Sequence, residues 1–368
     1  MSNHHVAVVG GGVIGLSVAW RAAAAGHRVT VVDPAPGRGA SWVAGGMLAP
    51  LAEAWPGEEA ALALGEESLN RWPEFAQALA ADGGNPGLSQ AGTVVVALDR
   101  ADADQLDIQA AYLRSVGREV EQVTGRSLRS LEPGLGAVRG GLLVPGDLAV
   151  DNRKLLRSLE TAALRHGAEF TGDRAVAVQP GCVRTAHCEV RCDAVVVAAG
   201  ARSAELHPVL ARGVRPLKGE ILRLRARRTS LPPPTRTVRA VVEGRPVYLV
   251  PREDGELVLG ATQYEAGFDE TVSAKGVREL IEAAERIFPS VGEYELTETA
   301  AGLRSASADT LPFIGDLGDG VLAATGHHRN GLLMAPVTAD AVLAWLAGEK
   351  PPEEALAADP ARLETGGV

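Results

Sequence analysis

Cysteine is scarce in this 368-residue chain, and its three copies, Cys182, Cys188 and Cys192, fall in one short segment. An odd count in one place does not build the disulfide framework of a secreted domain; it suits a reducing cytoplasm. Positive charge is also in deficit. With 36 basic against 46 acidic residues the formal charge is −10, which argues against nucleic acid or anionic membrane as the main partner. No uncharged apolar run reaches the roughly 18 residues that a membrane span requires. No basic segment precedes the first apolar run and glycines interrupt it, so a signal peptide is not expected there. A metal site lacks a fourth ligand: His187 with the three cysteines misses zinc spacing. Alternation through Cys188-Glu189-Val190-Arg191-Cys192 instead puts both cysteines on one face of a strand, among small apolar residues. No Ser/His/Asp arrangement persuades, and no internal repeat is visible.

What is present begins five residues in. His5-Val6-Ala7-Val8-Val9 runs into Gly10-Gly11-Gly12-Val13-Ile14-Gly15, and Val29-Thr30-Val31-Val32-Asp33 follows one helix later. This is a strand, glycine turn, helix, strand and acid unit suited to a dinucleotide. Gly10 permits the tight turn, Gly12 lets the backbone approach a pyrophosphate, and Gly15 lets the helix pack closely on the strand. The phosphates then meet free N–H groups at the helix N-terminus, around Val13 and Ile14. Asp33 is placed to accept hydrogen bonds from an adenosine ribose, and its charge repels a 2′-phosphate. FAD or NAD is therefore favoured over NADP.

A chain of this length exceeds the usual single domain, so two domains sharing one cofactor cleft are expected. Pro34 to Leu48 is long, irregular and too apolar for a solvent loop, and a bulky ring cofactor is the economical thing for it to lie against. Residues 57–80 and 101–116 read as helices, with a strand at 93–97 between them. Asp151 caps a helix reaching about His166, and short strands follow near Glu169, Ala175 and Glu189. Asp193 to Gly200 is continuously apolar, as in a parallel strand buried on both faces, and its small end, Ala199 and Gly200, lets backbone come close to a ligand. Strand signals dominate 214–263, which predicts a second, antiparallel sheet. A helix over 274–288, a strand over 295–303, a buried strand over 320–326 and a final helix to about Ala347 complete the order. Pro336 falls in that helix's first turn or kinks it. The acidic, alanine-rich tail from Lys350 reads as peripheral.

An NAD dehydrogenase builds its dinucleotide domain from contiguous βαβ units, whereas here one such unit is followed by a long insertion and by lone buried strands at 194–200 and 320–326. The fold class is thus α/β with an α+β second domain. A Rossmann-like FAD-binding domain is assembled from 1–80, 140–213 and 304–348, an antiparallel-sheet substrate-binding domain from 81–139 and 214–303, and 349–368 is a tail. With the glycine- and alanine-rich loop 39–47, this resembles FAD-dependent amine and amino-acid oxidases of the D-amino-acid oxidase type. Ala44-Gly45-Gly46-Met47-Leu48, Pro216-Leu217-Lys218-Gly219-Glu220, Ala301-Gly302-Leu303-Arg304 and Gly326-His327-His328-Arg329-Asn330-Gly331-Leu332 sharpen the likeness. They look like segments of the glycine oxidases of the thiamine-biosynthetic (ThiO) branch, and the likeness runs from His5 to about Leu346.

The resemblance implies non-covalent FAD, contacted by Gly10, Gly12, Val13, Ile14, Gly15, Asp33, Ala40, Ser41, Gly45, Gly46, Met47, Val176, Ala199, Gly200, His328, Arg329, Asn330, Gly331, Leu332 and Leu333. It implies oxidation of glycine, or of other small amines or D-amino acids, by hydride transfer from Cα to flavin N5. The products are an imino acid and, through dioxygen, hydrogen peroxide. It further implies a homotetramer whose imine passes to a thiazole synthase. A carboxylate clamp calls for arginine, because a guanidinium matches a carboxylate with two parallel hydrogen bonds. Arg304 closes an apolar strand, 297–303, where an unpartnered charge is costly. The matching arginine in the family binds the substrate carboxylate; a structural ion pair is the alternative. Arg329 falls where the family places flavin and substrate contacts, or is a helix-entry charge, and the helix N-terminus after it offers donors to a reduced flavin. Tyr248 matches a tyrosine that helps hold the carboxylate, or is a core tyrosine sharing a face with Pro246 and Val250. Met47 matches a residue beside the flavin, or fills a core gap. Gln263 departs from the family pattern, in which a methionine follows the Gly-Ala-Thr triplet, and this bears on substrate range. His327 and His328 read as packing or backbone residues rather than a general base. D-amino-acid dehydrogenases and sarcosine-type oxidases share this fold. A non-catalytic FAD-binding subunit is the rival of another class, disfavoured by Arg304, Arg329 and Tyr248 together.

Overall fold

The structure, a computed structural model, describes residues 3–318 and 320–365. Its first sheet has six strands in the order Phe313–Asp316, Val321–Thr325, Ala194–Val197, His5–Val9, Arg28–Val32 and Glu169–Thr171. Every neighbouring pair is parallel except the edge pair of Phe313–Asp316 with Val321–Thr325. Alternation along the central strand decides its two environments. Val6 and Val8 enter a cluster with Leu16, Trp72 and Leu155 from the covering helices, while Ala7 and Val9 face one with Val183 and Leu210. Both faces are buried, which is why these strands are valine- and alanine-rich without polar alternation. Among the covering helices, Asn152–Arg165 starts where Asp151 accepts hydrogen bonds from the N–H groups of Arg153 and Lys154, both at 3.0 Å.

The second sheet has eight strands: Glu295–Ala306, Arg215–Arg225, Glu256–Gly260, Arg245–Pro251, Thr237–Val242, Thr93–Ala97, Gly140–Val144 and Glu121–Thr124. One face packs on helix Ala274–Ile287 through Val94, Leu222, Val238, Leu249 and Leu280. The other face looks into the interior of the molecule. The sheet is not wholly antiparallel as expected: Thr237–Val242 runs parallel to Thr93–Ala97, because these strands come from distant segments and no hairpin dictates their direction. Gly140–Val144 also pairs here, beyond the boundary drawn at 140.

Further expectations need correcting. The buried strand stops at Val197, and Gly200 opens a short 3-10 turn, Gly200–Glu205. The strand carrying Arg304 runs on to Ala306, so Arg304 lies within it and not at its end. Helix Ala335–Ala347 begins only after a turn, with Pro336 in its first turn, where a missing N–H costs no hydrogen bond, and it is not the last: a 3-10 turn, Glu353–Ala358, and a short helix, Arg362–Thr365, follow it. The hairpin strand covers only Glu189–Arg191, so the alternation reaches neither cysteine and Cys188 is exposed. A strand at Cys182–Thr185, not foreseen, pairs with it. The tail is not peripheral over its described residues. Ala355 and Ala358 are buried in the helical core, and Arg362 bonds Asp309 and the carbonyl of Leu311.

Asp147, between Gly140–Val144 and Leu148–Val150, is fully buried, with Thr93 and the backbone of Leu51 beside its carboxyl. Burial pushes its carboxyl up to about 7 from an ordinary 3.8. The folded chain therefore holds a proton that the unfolded chain has released, and stability falls as pH rises through that interval. Asp147→Asn, which cannot ionise, should open a gap in melting temperature over the parent that widens from pH 4 to pH 8. Parallel curves would rule this out.

Candidate active site

The glycine turn divides its labour. Gly10 has φ +107°, and a Cβ there would lie 2.3 Å from the carbonyl oxygen of Ala198; one on Gly15 would lie 1.8 Å from that of Gly10. Both are demanded by the fold, the first by the end of strand Ala194–Val197, the second by the helix lying on its strand. A Cβ on Gly12 would meet only the hydroxyl of Ser41, at 3.3 Å, so its bareness serves the groove in front of it. Ser41 Oγ accepts from the N–H of Val13 at 3.0 Å. Asp33 accepts from the N–H groups of Gly11 and Ala35, each at 2.7 Å, orienting the turn while lining the groove. From Asp33 the groove passes Gly12, Val13, Ile14, Ala199 and Gly200 to Arg304 and His328. There it joins a second chamber, the two sharing Val13, Ala40, Ser41, Arg304, His328 and Gly331.

Three residues expected at the cofactor do not line this cleft. Val176 is exposed on an outer strand while its neighbours Arg174 and Ala175 line the groove. Gly15 sits beneath the turn, and Leu333 is a core residue whose carbonyl accepts from Ser68 and Trp72.

The chamber's floor is the inner face of the eight-stranded sheet. One transverse row, Val95, Arg239, Tyr248, Gly260 and Ile221, crosses it in register. Tyr248 lies in a slot: a Cβ on Gly260 would be 2.3 Å from its hydroxyl, and one on Gly45 would be 2.6 Å from its ring. Burial raises its phenol, and the hydroxyl has no protein hydrogen-bond partner among the described residues. Arg252, lowered by burial to about 10, fastens the Gly45-Gly46 turn by donating to the Gly45 carbonyl at 2.5 Å. Met47 and Gln263 complete this wall.

Arg304 lies across Gly219, where a Cβ would come within 2.4 Å of its Nη1. Its guanidinium donates to the carbonyl of Thr262 at 3.2 Å, and no carboxylate among the described residues lies within ion-pair distance. Burial depresses its pKa, the nearby phenol and Glu53 opposing. The structural ion pair considered from sequence is therefore absent here. Thr262 is itself held: Glu220, fully buried, accepts from Thr262 Oγ1 at 3.2 Å and from the Ser273 N–H at 2.8 Å.

Arg329 is paired, donating from Nε to Glu53 at 2.7 Å and from Nη2 to Glu58 at 3.2 Å. Glu53 also accepts from Arg239. Burial alone would raise the Glu53 carboxyl, but the two guanidiniums hold it at about 2. Sequence reasoning missed Glu53 and Arg239. Arg239 left a trace, a cation among the apolar residues of Thr237–Val242, whereas Glu53 sits in a segment without periodicity. Gln109 was missed too; its amide bonds the carbonyls of Leu51, Ala52 and Ala54, tying down the segment that carries Glu53. His327 is buried against Thr338 at 2.9 Å, and burial lowers it to about 3. His328 has φ +49°, its N–H donates to the Ser305 carbonyl, and burial with the charges of Arg329 and Arg304 lowers it to about 4. Beyond Asn330, Gly331 and Leu332 line the cleft, and their N–H groups have no acceptor among the described residues. The donors facing the cleft thus belong to this turn and not to helix Ala335–Ala347.

A family model described as FAD dependent oxidoreductase (DAO) matches residues 5–345. The chain belongs to this family of FAD-dependent oxidoreductases. It is 34% identical to a glycine oxidase of Pseudomonas aeruginosa, over 95% of this chain and 96% of that protein. It is 32% identical to the bifunctional protein ThiO/ThiG of Trichormus variabilis, over 94% of this chain and 53% of that longer protein. Its fold superposes on the crystal structure of glycine oxidase from Geobacillus kaustophilus with a TM-score of 0.90 at 29% identity, covering 98% and 99% of the two chains. The cleft suits FAD on its own terms, since it is long, glycine-walled at the Asp33 end and opens into a chamber bearing an unpaired arginine.

The two kinds of glycine separate by substitution. Gly10→Ala should lower the melting temperature of the apoprotein by several degrees, since strain and overlap act on the fold itself. Gly12→Ala should leave that temperature within about a degree yet reduce bound FAD, read from the 450 to 280 nm absorbance ratio. Equal melting losses in both would remove the distinction.

Proposed function

We propose that this protein oxidises glycine, and with it other small amines or D-amino acids, to the imino acid, releasing hydrogen peroxide, and that the imine serves thiazole assembly in thiamine biosynthesis. The observation that carries the reading is Arg304, a half-buried cation without a carboxylate partner, beside the unpartnered hydroxyl of Tyr248 where groove and chamber meet. The glycine oxidases among the relatives support it, and the ThiO/ThiG fusion supports a thiazole synthase as the partner that receives the imine. No helix among the described residues is long and apolar enough to cross a membrane. That fact and the free thiols support a cytoplasmic enzyme, which by resemblance is a homotetramer.

FAD, when bound, supplies the two-electron acceptor. Gly10, Gly12, Val13, Ile14, Asp33, Ser41 and Gly200 hold its adenosine and phosphate end; Ala40, Gly45, Gly46, Met47 and the His328–Leu332 turn hold the ring end. Arg304 takes the substrate carboxylate with two parallel hydrogen bonds and Tyr248 adds a third donor, leaving the Cα hydrogen to be aimed by the walls at Met47 and Gln263. Arg329 has its charge occupied by Glu53 and Glu58, so it shapes the site and closes the segment that carries Glu53. No side chain is needed as a base, since a neutral amine surrenders hydride without one.

The holoenzyme should be yellow, and anaerobic glycine should bleach it. Peroxide formed in air identifies an oxidase; activity only with an artificial acceptor identifies a dehydrogenase. Arg304→Ala should raise the KM for glycine by about 100-fold, the loss of a desolvated charge pair, with Arg304→Lys recovering part of it. An unchanged KM would remove Arg304 from the clamp.

A further inference from the structure

Part of the rim of the cofactor groove comes from the other sheet. Between strand Glu256–Gly260 and helix Ala274–Ile287 the chain makes an irregular excursion whose first residues, Ala261 and Gln263, line the chamber, whereas Glu270 lines the groove. The excursion thus passes from one cavity to the other. On the side of its own sheet it is tied to a single residue. Tyr264 exchanges backbone hydrogen bonds with Lys218 at 2.9 and 3.0 Å, and the buried Lys218 ammonium bonds Asp269 at 2.8 Å and the carbonyl of Thr271. With both arms held at Lys218, the tip between them turns at Gly267, φ +55°, where the Asp269 N–H donates to the Ala266 carbonyl at 3.2 Å.

The tip carries Phe268, 42% exposed and in none of the apolar clusters. What it meets is Arg202, whose guanidinium carbon lies 4.6 Å from the ring centroid, within the range where a cation is attracted to an aromatic face. Arg202 belongs to the opposite wall. It stands in the turn Gly200–Glu205 after the buried strand, and with Glu205 it lines the groove. That turn is itself fixed: Ser203 Oγ donates to Thr325 Oγ1 at 2.9 Å, which donates to the Gly200 carbonyl at 3.1 Å, while Glu205 accepts from Arg202 Nη1 at 3.0 Å. Groove-lining residues therefore flank the contact on both sides, Arg202 and Glu205 from one sheet and Glu270 from the excursion of the other.

We propose that Phe268 and Arg202 form a clasp over the cofactor groove, so that bound FAD leaves only after this contact has opened. Phe268 does not line the groove, so its ring adds to the barrier and not to the affinity. The inference rests on the cleft as the FAD site and is independent of the substrate.

The test uses the holoenzyme. FAD release is timed by exchange against an excess of a deazaflavin analogue of FAD, read as decay of the FAD absorption band, and the dissociation constant comes from flavin fluorescence on serial dilution. Phe268→Ala should release FAD about fivefold faster, the worth of one exposed cation–π contact, with the dissociation constant within about twofold of the parent. Phe268→Tyr, which keeps the ring face, should match the parent, whereas Phe268→Leu should behave as the alanine variant. In an Arg202→Ala background, Phe268→Ala should accelerate release no further. The clasp is overturned if Phe268→Ala releases FAD at the parental rate, or if it accelerates release equally with Arg202 absent. A dissociation constant raised in step with the release rate would also overturn it, since Phe268 would then be a ligand contact.

Discussion

An arginine kept inside a protein wall without a counter-ion is costly, and the neighbourhood of Arg304 is built to hold it in that state. Gly219 beneath it and Gly302 two residues before it lack the side chains that would displace it; a Cβ at 302 would meet Ala40 and Val43 at 3.2 Å. The carbonyl that receives its one protein hydrogen bond belongs to Thr262, at the head of the excursion from strand Glu256–Gly260 to helix Ala274–Ile287. That excursion is closed at both ends on one carboxylate. Glu220 bonds Thr262 at its start and Ser273 at its finish, while Lys218, buried beside it, bonds Asp269 at 2.8 Å. Lys218 and Glu220 thus fix the position of Arg304 from a distance, through Thr262.

The same strand couples the two sheets. Ser305, next to Arg304, accepts the His328 N–H through its carbonyl and the Gly326 N–H through its hydroxyl at 3.2 Å. The turn after strand Val321–Thr325 is therefore pinned to the edge of the eight-stranded sheet. Cofactor groove and chamber share residues because this bond places them side by side, and a shift of either sheet would be felt at Arg304 first.

Much of this was legible in the amino-acid order. The fingerprint from His5 to Asp33, the scattered buried strands and the strand-rich middle region follow from local periodicity and glycine placement, and the structure has them. Arg304 was legible because a charge among apolar strand residues is conspicuous. Glu53, Gln109 and the Glu220 staple were not, since each acts on partners far away in sequence: Gln109 on residues more than 50 positions back, Glu53 on Arg329 at a separation of 276. Val176 and Leu333 show the opposite failure. Each stands beside a residue that does line the cleft, and strand or turn phase turned its own side chain away. The tail misled because alanine-rich composition reads as solvent-facing, whereas small side chains let Ala355 and Ala358 pack closely on the helical layer.

The electrostatic division inside the cleft decides where a negative ligand group settles. Arg329 and Arg239 both lean on Glu53, whose carboxyl the two cations hold near 2, so it remains their anion at any working pH. His327 and His328 are lowered to about 3 and about 4, chiefly by burial, so neither adds charge above pH 5. In the chamber, where Arg239, Arg304 and Arg329 supply the cations, Arg304 is the guanidinium that no described carboxylate neutralises. A carboxylate entering the chamber finds its strongest uncompensated attraction at Arg304.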